Sequence, residues 1–358
     1  MKRILRSGRE AFTLVELLTV VAIIGLLIGI LVPALSAARN QAKEASTKAQ
    51  LDSIGKGCLM FSSDNSKLPA SGGNNPFVAA GAYSNLGPTL TGTQWLVVQL
   101  VGPDRQGYVK NDLSNDHDAD GRITATDWNA WYELPGASGY SGKKYSRATP
   151  YVDPDGKNYQ TLAQFVEDNS LSDDEIANLP AQLANGLDTP DVEWSSARVP
   201  YFIDAFKGPI LYYAATAGAE APFSTGQGSN RSLKIGLYDQ SDNAAITGSE
   251  VRVGRWDRAQ SVGFDFRGSG WSNDPDAVPN AHFMARLGWD ADEPNKWPVQ
   301  RSFARTLADR SIYDTTKRGT GAAEEGRIAP RNPDTFVMVS AGRDGLFGTD
   351  DDITNFNK

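Results

Sequence analysis

The chain has a single cysteine, Cys58, and two histidines, His117 and His282, among 358 residues. One thiol cannot close an intrachain disulfide, so stability has to come from core packing or from bound ions. There is no zinc-type His or Cys cluster, no Gly-x-Ser-x-Gly and no Gly-rich phosphate loop, which removes the commonest metallohydrolase, serine-hydrolase and nucleotide-binding signatures. An acid pair stays open, because Asp and Glu together number 43. Lys and Arg number 35, for a formal net charge of −8, and an acidic surface argues against a nucleic-acid partner. Gly57-Cys58 is no lipidation site, since it follows Lys56 and lies far past the apolar run described next.

Charge is also absent from Leu17 to Ala38, 22 residues. A helix of that length crosses roughly 30 Å of hydrocarbon. In front of it stand Lys2, Arg3, Arg6 and Arg9 with only Glu10 opposing them, which predicts a cytoplasmic leader and an exported remainder. A secretory signal shares the basic-then-apolar layout. This run is too long for one, however, no small-x-small site follows it, and Glu16 lies inside its start. A carboxylate in lipid needs a partner and marks a functional position; the plainer alternative is an unprocessed anchor whose Glu16 snorkels to the interface.

The stretch Ala11-Phe12-Thr13-Leu14-Val15-Glu16-Leu17 resembles the type IV prepilin processing site. Leader charge, the Phe-Thr-Leu-x-Glu order, the apolar length and Pro33 within the run all agree with it, and Ala11 stands where the family usually has Gly. The resemblance implies that a prepilin peptidase cuts between Ala11 and Phe12 and methylates the new amine, with Glu16 pairing with the amine of a neighbouring subunit. Losing leader residues 1–11, with four basic residues and one acid, takes the formal charge from −8 to −11.

Beyond the apolar run the helical period continues. Leu35, Ala38, Ala42, Ala45 and Ala49, then Leu51, Ile54, Cys58 and Phe61, recur at spacings of three and four, with Arg39, Lys43, Glu44 and Lys48 elsewhere on the surface. The spacing predicts one helix over 12–63, transmembrane over 12–38, with its second half lying on a globular body of residues 64–358. Cys58 belongs to that stripe as a small core residue. Gly25, Gly29 and Pro33 weaken the helix midway. Phe61 to Pro69 looks like the turn that leaves the helix in major pseudopilins of type II secretion. Ala70 to Thr93 reads as loop, and Trp95 to Val101 as a short buried apolar segment.

Residues 116–127 carry the clearest chemistry. Calcium takes six to eight oxygens from a loop with carboxylates at positions 1, 3, 5 and 12, a backbone oxygen at 7 and Gly at 6. Asp116, Asp118, Asp120 and Asp127 fill the carboxylate positions, Arg122 supplies the backbone oxygen and Gly121 the turn. His117 falls at a non-ligating position. The loop resembles that of dockerin-type EF-hands, which end in Asp. Trp128 to Leu134 supplies an exiting helix before Pro135, and no clear entering helix precedes Asp116, so this is an EF-hand-like loop only.

Thr161-Leu162-Ala163-Gln164 and Ser172-Asp173-Asp174-Glu175 read as helix-opening capping boxes, the second helix running through Leu183. Val199 to Tyr213 is a turn followed by a β-branched and aromatic strand, and looks like an altered Asp-Pro-Trp-Gly hairpin of the pseudopilins. Trp256, Trp271, Trp289 and Trp297 lie in the uninformative 220–330 stretch, as core anchors or as a sugar-binding face. Asp334 to Ser340 is a strand. The tail after it, residues 340–356, resembles the C-terminal loop of major pseudopilins, which holds a structural calcium, and this implies Asp344, Asp350 and Asp352 as ligands with Asp351 able to replace either neighbour. Four carboxylates in nine residues repel one another without a cation.

The expected fold is α+β and pilin-like: a long N-terminal transmembrane and amphipathic helix packed on an antiparallel sheet, with loop-rich insertions. The expected function is that of a non-enzymatic pseudopilin-like subunit in the inner membrane, its globular domain periplasmic. Its partners would be further copies of itself, a prepilin peptidase and the inner-membrane secretion assembly platform. A type IV pilus or surface adhesin subunit, and a membrane-anchored glycan-active enzyme, are the alternatives.

Overall fold

The structure, a computed structural model, describes residues 14–72, 90–109, 115, 132, 145–173, 176, 179, 187, 196–215, 234–235, 238–253, 256–262, 282, 284, 303–307, 331–332 and 334–356. The chain divides into two units, Met1–Ala45 and Ser46–Lys358.

The first unit holds the beginning of helix α1, Leu14–Asn65. Every large apolar side chain from Leu14 to Leu35 is exposed, Leu14 at 79% and Leu31 at 65%. α1 is long and apolar enough to cross a membrane, and none of its most apolar stretch is buried within the chain. The helix passes through Pro33 without a break. Proline removes the bond to the carbonyl four residues back, and that residue is Gly29, at which a Cβ would meet nothing within 4 Å.

In the second unit, α1 buries Thr47, Leu51, Ile54, Gly57, Cys58 and Phe61, a stripe at helical spacing. Full burial of each Leu, Ile or Phe contributes about 1.5–3 kcal/mol. The expected stripe is borne out from Leu51 onward. Its earlier members, Leu35, Ala38, Ala42, Ala45 and Ala49, are exposed in the single chain.

The stripe lies on an antiparallel sheet of β5 (Ile210–Ala214), β10 (Phe336–Ser340) and β11 (Ile353–Thr354), in the order β11-β10-β5. Its register pairs Phe336 with Ala214, Ser340 with Ile210, and Val339 with Thr354. Side chains alternate across it. Ile210, Tyr212, Phe336, Met338 and Ile353 meet α1 and helix α2, while Leu211, Tyr213, Val337 and Val339 face a second cluster with Leu162, Phe165, Tyr238, Phe303 and Phe347. Burial on both faces accounts for strands that are apolar throughout.

α2 (Gly92–Val101) is buried along all ten residues, so Trp95 to Val101 is helix, and Gly92 and Thr93, expected at the end of a loop, belong to it. Thr91 and Gln94 close its capping box. The Gln94 amide donates to the carbonyls of Ser196 (2.6 Å) and Val199 (3.1 Å), and Gln99 exchanges hydrogen bonds with the Ala70 backbone at 2.9 Å in each direction. Both amides are satisfied, which a buried helix requires.

Shorter pairs complete the described body. β1 (Tyr108–Val109) pairs with β2 (Arg147–Ala148), and β3 (Tyr159–Gln160) with β4 (Tyr201–Phe202). β6 (Lys234–Ile235) pairs with β7 (Tyr238–Asp239), and β8 (Gly248–Val253) with β9 (Trp256–Val262). The first expected capping box opens α3, Leu162–Asn169, with Thr161 and Gln164 bonded reciprocally. At the second, the Ile176 N–H donates to the Ser172 carbonyl at 2.9 Å, and most of that segment lies outside the described residues. The architecture is α+β, with small antiparallel sheets beside one long helix.

Candidate functional site

The C-terminal acidic loop leaves β10 at Ser340 and returns at Ile353. Gly342, Gly345 and Gly348 have positive φ angles of 62°, 71° and 93°, which lets the backbone double back tightly. At Gly342 a Cβ would meet the Asp351 carbonyl oxygen at 2.2 Å.

The fold brings the acids onto one short loop with different surroundings. Asp344 is half-buried, Asp350 exposed, Asp351 half-buried and Asp352 buried. Asp344 Oδ1 accepts the Leu346 N–H at 2.8 Å, and the Asp344 N–H donates to Asp351 Oδ2 at 2.9 Å. Asp351 Oδ1 accepts the Thr349 hydroxyl at 2.5 Å, and Asp352 Oδ2 accepts the Gly348 N–H at 2.9 Å. Burial, together with the neighbouring Asp351 charge, holds the Asp344 carboxyl above its ordinary range. Burial acts on Asp351 in the same direction, but the hydrogen bonds from Thr349 and Asp344 outweigh it and its carboxyl lies below that range. The loop thus places two carboxyl groups close enough to titrate as a pair, with Asp351 rather than Asp350 or Asp352 beside Asp344.

Hard oxygen donors on a tight glycine-shaped loop are the type of ligand calcium takes. Among the described residues, no three His, Cys, Asp or Glu side chains converge on one point. As folded, these carboxylates accept backbone and hydroxyl hydrogens, which a cation would have to replace at the oxygens it binds.

Of the remaining expected site residues, Glu16 is exposed in the first turn of α1, where the Thr19 hydroxyl donates to its carbonyl at 3.0 Å. Ala11 and Phe12 lie outside the described residues, and so do Asp116, Asp118, Asp120, Arg122 and Asp127. The segment carrying the latter five is closed at its base: Tyr108 pairs with Ala148, and Val109 with Arg147. Tyr132, five residues past Asp127, is fully buried, accepts the Val109 N–H at 2.8 Å on its hydroxyl, and lies under the Arg147 guanidinium. Arg147 in turn is ion-paired with Asp104.

Two contributors had no signal in the sequence. His282 is buried against the loop, its Nδ1 accepting the Phe347 N–H at 3.3 Å and its ring 5.0 Å from the Phe347 ring. Asp204 is 3% exposed and bonds to Ser340 at the start of the loop. Burial raises its carboxyl above the usual range, and hydrogen bonds from Ser340, Gly208, Phe206 and Lys207 oppose that rise. No family model, curated protein or solved structure matches the chain.

Proposed function

We propose that the chain is a pseudopilin-like structural subunit, anchored in the inner membrane by α1 and polymerising through it into a periplasmic pseudopilus that serves type II-like protein export. The observation that carries this reading is α1 itself. Its exposed, uncharged run bears one acid, Glu16, and the same helix later docks by Leu51, Ile54, Cys58 and Phe61 onto an antiparallel sheet. A soluble protein has no use for so many exposed Leu, Ile and Val on one helix, whereas a bilayer and sister helices both cover them. Glu16 then has a role as the partner of another subunit's N-terminal amine, because a charge within lipid requires compensation.

Calcium would be held at the C-terminal loop by Asp344, Asp350 and Asp352, with Asp351 able to replace either neighbour and backbone oxygens completing the shell, and at the inner loop by Asp116, Asp118, Asp120, Asp127 and the Arg122 carbonyl. The ion would neutralise clustered carboxylates and cross-link a loop that no disulfide can secure. The residues' own part is to present hard oxygens on glycine-shaped turns.

The test is processing and assembly of the full chain. Co-expressed with a prepilin peptidase and the secretion platform, it is expected to lose residues 1–11, gain one methyl group on Phe12 and form sedimentable polymer, while Glu16→Ala is processed but does not polymerise. An uncut chain, or Glu16→Ala polymer at wild-type yield, refutes the reading.

A further inference from the structure

The turn at residues 204–208 touches both α1 and the base of the C-terminal loop. On one side, Gln50 Nε2 donates to the Ile203 carbonyl at 2.7 Å, and the Ala205 N–H donates to the buried Thr47 hydroxyl oxygen at 3.3 Å. On the other, the Ser340 hydroxyl donates to Asp204 Oδ2 at 2.5 Å while its oxygen accepts the Gly342 N–H at 3.2 Å. Asp204 Oδ1 closes the turn by accepting the N–H groups of Phe206 (2.8 Å) and Gly208 (2.9 Å), and the Asp204 N–H donates to the Gly208 carbonyl at 2.8 Å. Within this turn Lys207 has φ +74°, a left-handed conformation that a side chain disfavours. Such a residue persists only where its surroundings over-determine it. Here the surroundings are the bonds that converge on Asp204.

We infer that Asp204 is a positioning residue that couples the C-terminal loop to α1: Ser340 holds its carboxylate while the loop is ordered, and the turn so held grips Thr47 and Gln50. The hydrogen-bonded chain Gly342–Ser340–Asp204–turn–Thr47 and Gln50 is continuous, and each carboxylate oxygen of Asp204 serves one side of it. If Ser340 is withdrawn, a buried carboxylate oxygen loses its donor. The strained turn then relaxes, and the α1 segment around Thr47 loses two hydrogen bonds. Joined to the proposed calcium site, the same chain makes ion occupancy at residues 341–352 legible at α1. The coupling itself rests on the hydrogen bonds and stands without that reading.

Hydrogen exchange with mass spectrometry on the full chain in detergent micelles tests it, with calcium chloride or a chelator and with four variants. Thr349→Ala loosens the loop by removing the Asp351 bond. It is expected to speed exchange about tenfold at residues 205–208 and 47–51 as well as within the loop, the size expected when one charge-assisted hydrogen bond is lost. Ser340→Ala is expected to speed exchange at the same two segments and to abolish their response to calcium, while Ser340→Thr, which keeps the hydroxyl, behaves as wild type. Thr161→Ala, which removes the α3 cap and none of the bonds of this chain, leaves both segments unchanged. If Ser340→Ala does not fold, Thr349→Ala and Ser340→Thr still decide. Faster exchange confined to the loop in Thr349→Ala overturns the coupling. A response of both distant segments to Thr349→Ala but not to calcium supports the coupling and removes the calcium reading instead.

Discussion

Two glycines two residues apart on α1, and so on different faces of it, test how the helix sits on the body, because alanine should act in opposite directions at Gly55 and Gly57. Gly in a helix interior is less favourable than Ala by about 0.8–1 kcal/mol, so propensity alone stabilises both variants. At Gly55 a Cβ would meet Met338 Cε and Phe336 Cζ at 3.7 Å, ordinary van der Waals contact with flexible or edge atoms. Propensity wins there, and Gly55→Ala is expected to gain about 1 kcal/mol, or about 2 °C in melting temperature for a body of this size. At Gly57 the Cβ would lie 2.5 Å from Val152 Cγ2 and 3.2 Å from the Tyr151 carbonyl oxygen. A valine has little rotamer freedom with which to withdraw. The Tyr151 backbone is itself tied to α2 by its N–H bond to the Leu100 carbonyl at 2.8 Å. Overpacking of this kind costs about 1–3 kcal/mol, more than the propensity gain over most of that range, so Gly57→Ala should lose up to about 2 kcal/mol and melt up to about 4 °C lower. Thermal melts of the full chain in one detergent compare all three proteins. A stabilised Gly57→Ala, or a destabilised Gly55→Ala, refutes the docking register.

Calcium in hundredfold excess over its dissociation constant should add about 2.7 kcal/mol per site, and a melt insensitive to chelator removes both sites at once. Asp204 gives a pH dependence whose sign follows from its raised carboxyl: between the unfolded and folded values the native state holds the extra proton, so stability falls as pH rises through that window. Asp204→Asn should flatten that slope in urea titrations across acidic pH, and an unchanged slope assigns it to other groups. Asn355→Ala should release the C-terminal residues to limited proteolysis more than Asp352→Ala does, and the reverse order would make the acids the main fastening. Phe61→Ala, which opens a cavity beside Tyr108 and Tyr151, should cost about 3–5 kcal/mol by denaturant unfolding, and a loss under 1 kcal/mol would mean that the aromatic cluster does not form.

Much of the helix and the central sheet was legible because apolar periodicity reports burial directly. Leu51, Ile54, Cys58 and Phe61 are the docked stripe, the strand Phe336 to Ser340 lies within Asp334 to Ser340, and the strand Ile210 to Ala214 runs one residue past Val199 to Tyr213. The alanines before them misled, since Ala is equally at home in water and in a core, and a period made of Ala38, Ala42 and Ala45 does not say which face is covered. α2 is legible as buried but not as helix from its apolar run, because a short run apolar on all sides fits either period; the Thr91 and Gln94 capping box is the local signal that distinguishes them. The pairing of β5 with β10 joins segments more than a hundred residues apart, and no local pattern encodes it. Asp204 illustrates the same limit at the site. Its importance comes from Ser340, 136 positions away, and nothing in a hairpin's composition announces a buried carboxylate that serves two elements.

The tail shows how the work of holding a chain end is divided when no disulfide is available. β11 is only two residues long, and two backbone pairings are a weak hold. Asn355 extends it: its Oδ1 accepts the Met338 N–H at 2.8 Å, its Nδ2 donates to the Phe336 carbonyl at 3.2 Å, and its own N–H reaches the Met338 carbonyl at 3.3 Å. One side chain thus reproduces the pattern of a further strand residue, and the stacking of Arg331 on Phe356 covers the next position. Pinning the C-terminus onto the sheet is therefore a task that Asn355 performs without an ion. What remains for a cation is the loop between the strands, where two unit charges about 4 Å apart repel by about 4 kcal/mol at an effective dielectric near 20. Internal hydrogen bonds to Asp351 relieve part of that repulsion; a divalent ion would relieve the rest. Ion occupancy should accordingly govern the order of residues 341–352 and, through Ser340 and Asp204, the grip on α1, while the last strand stays where Asn355 holds it.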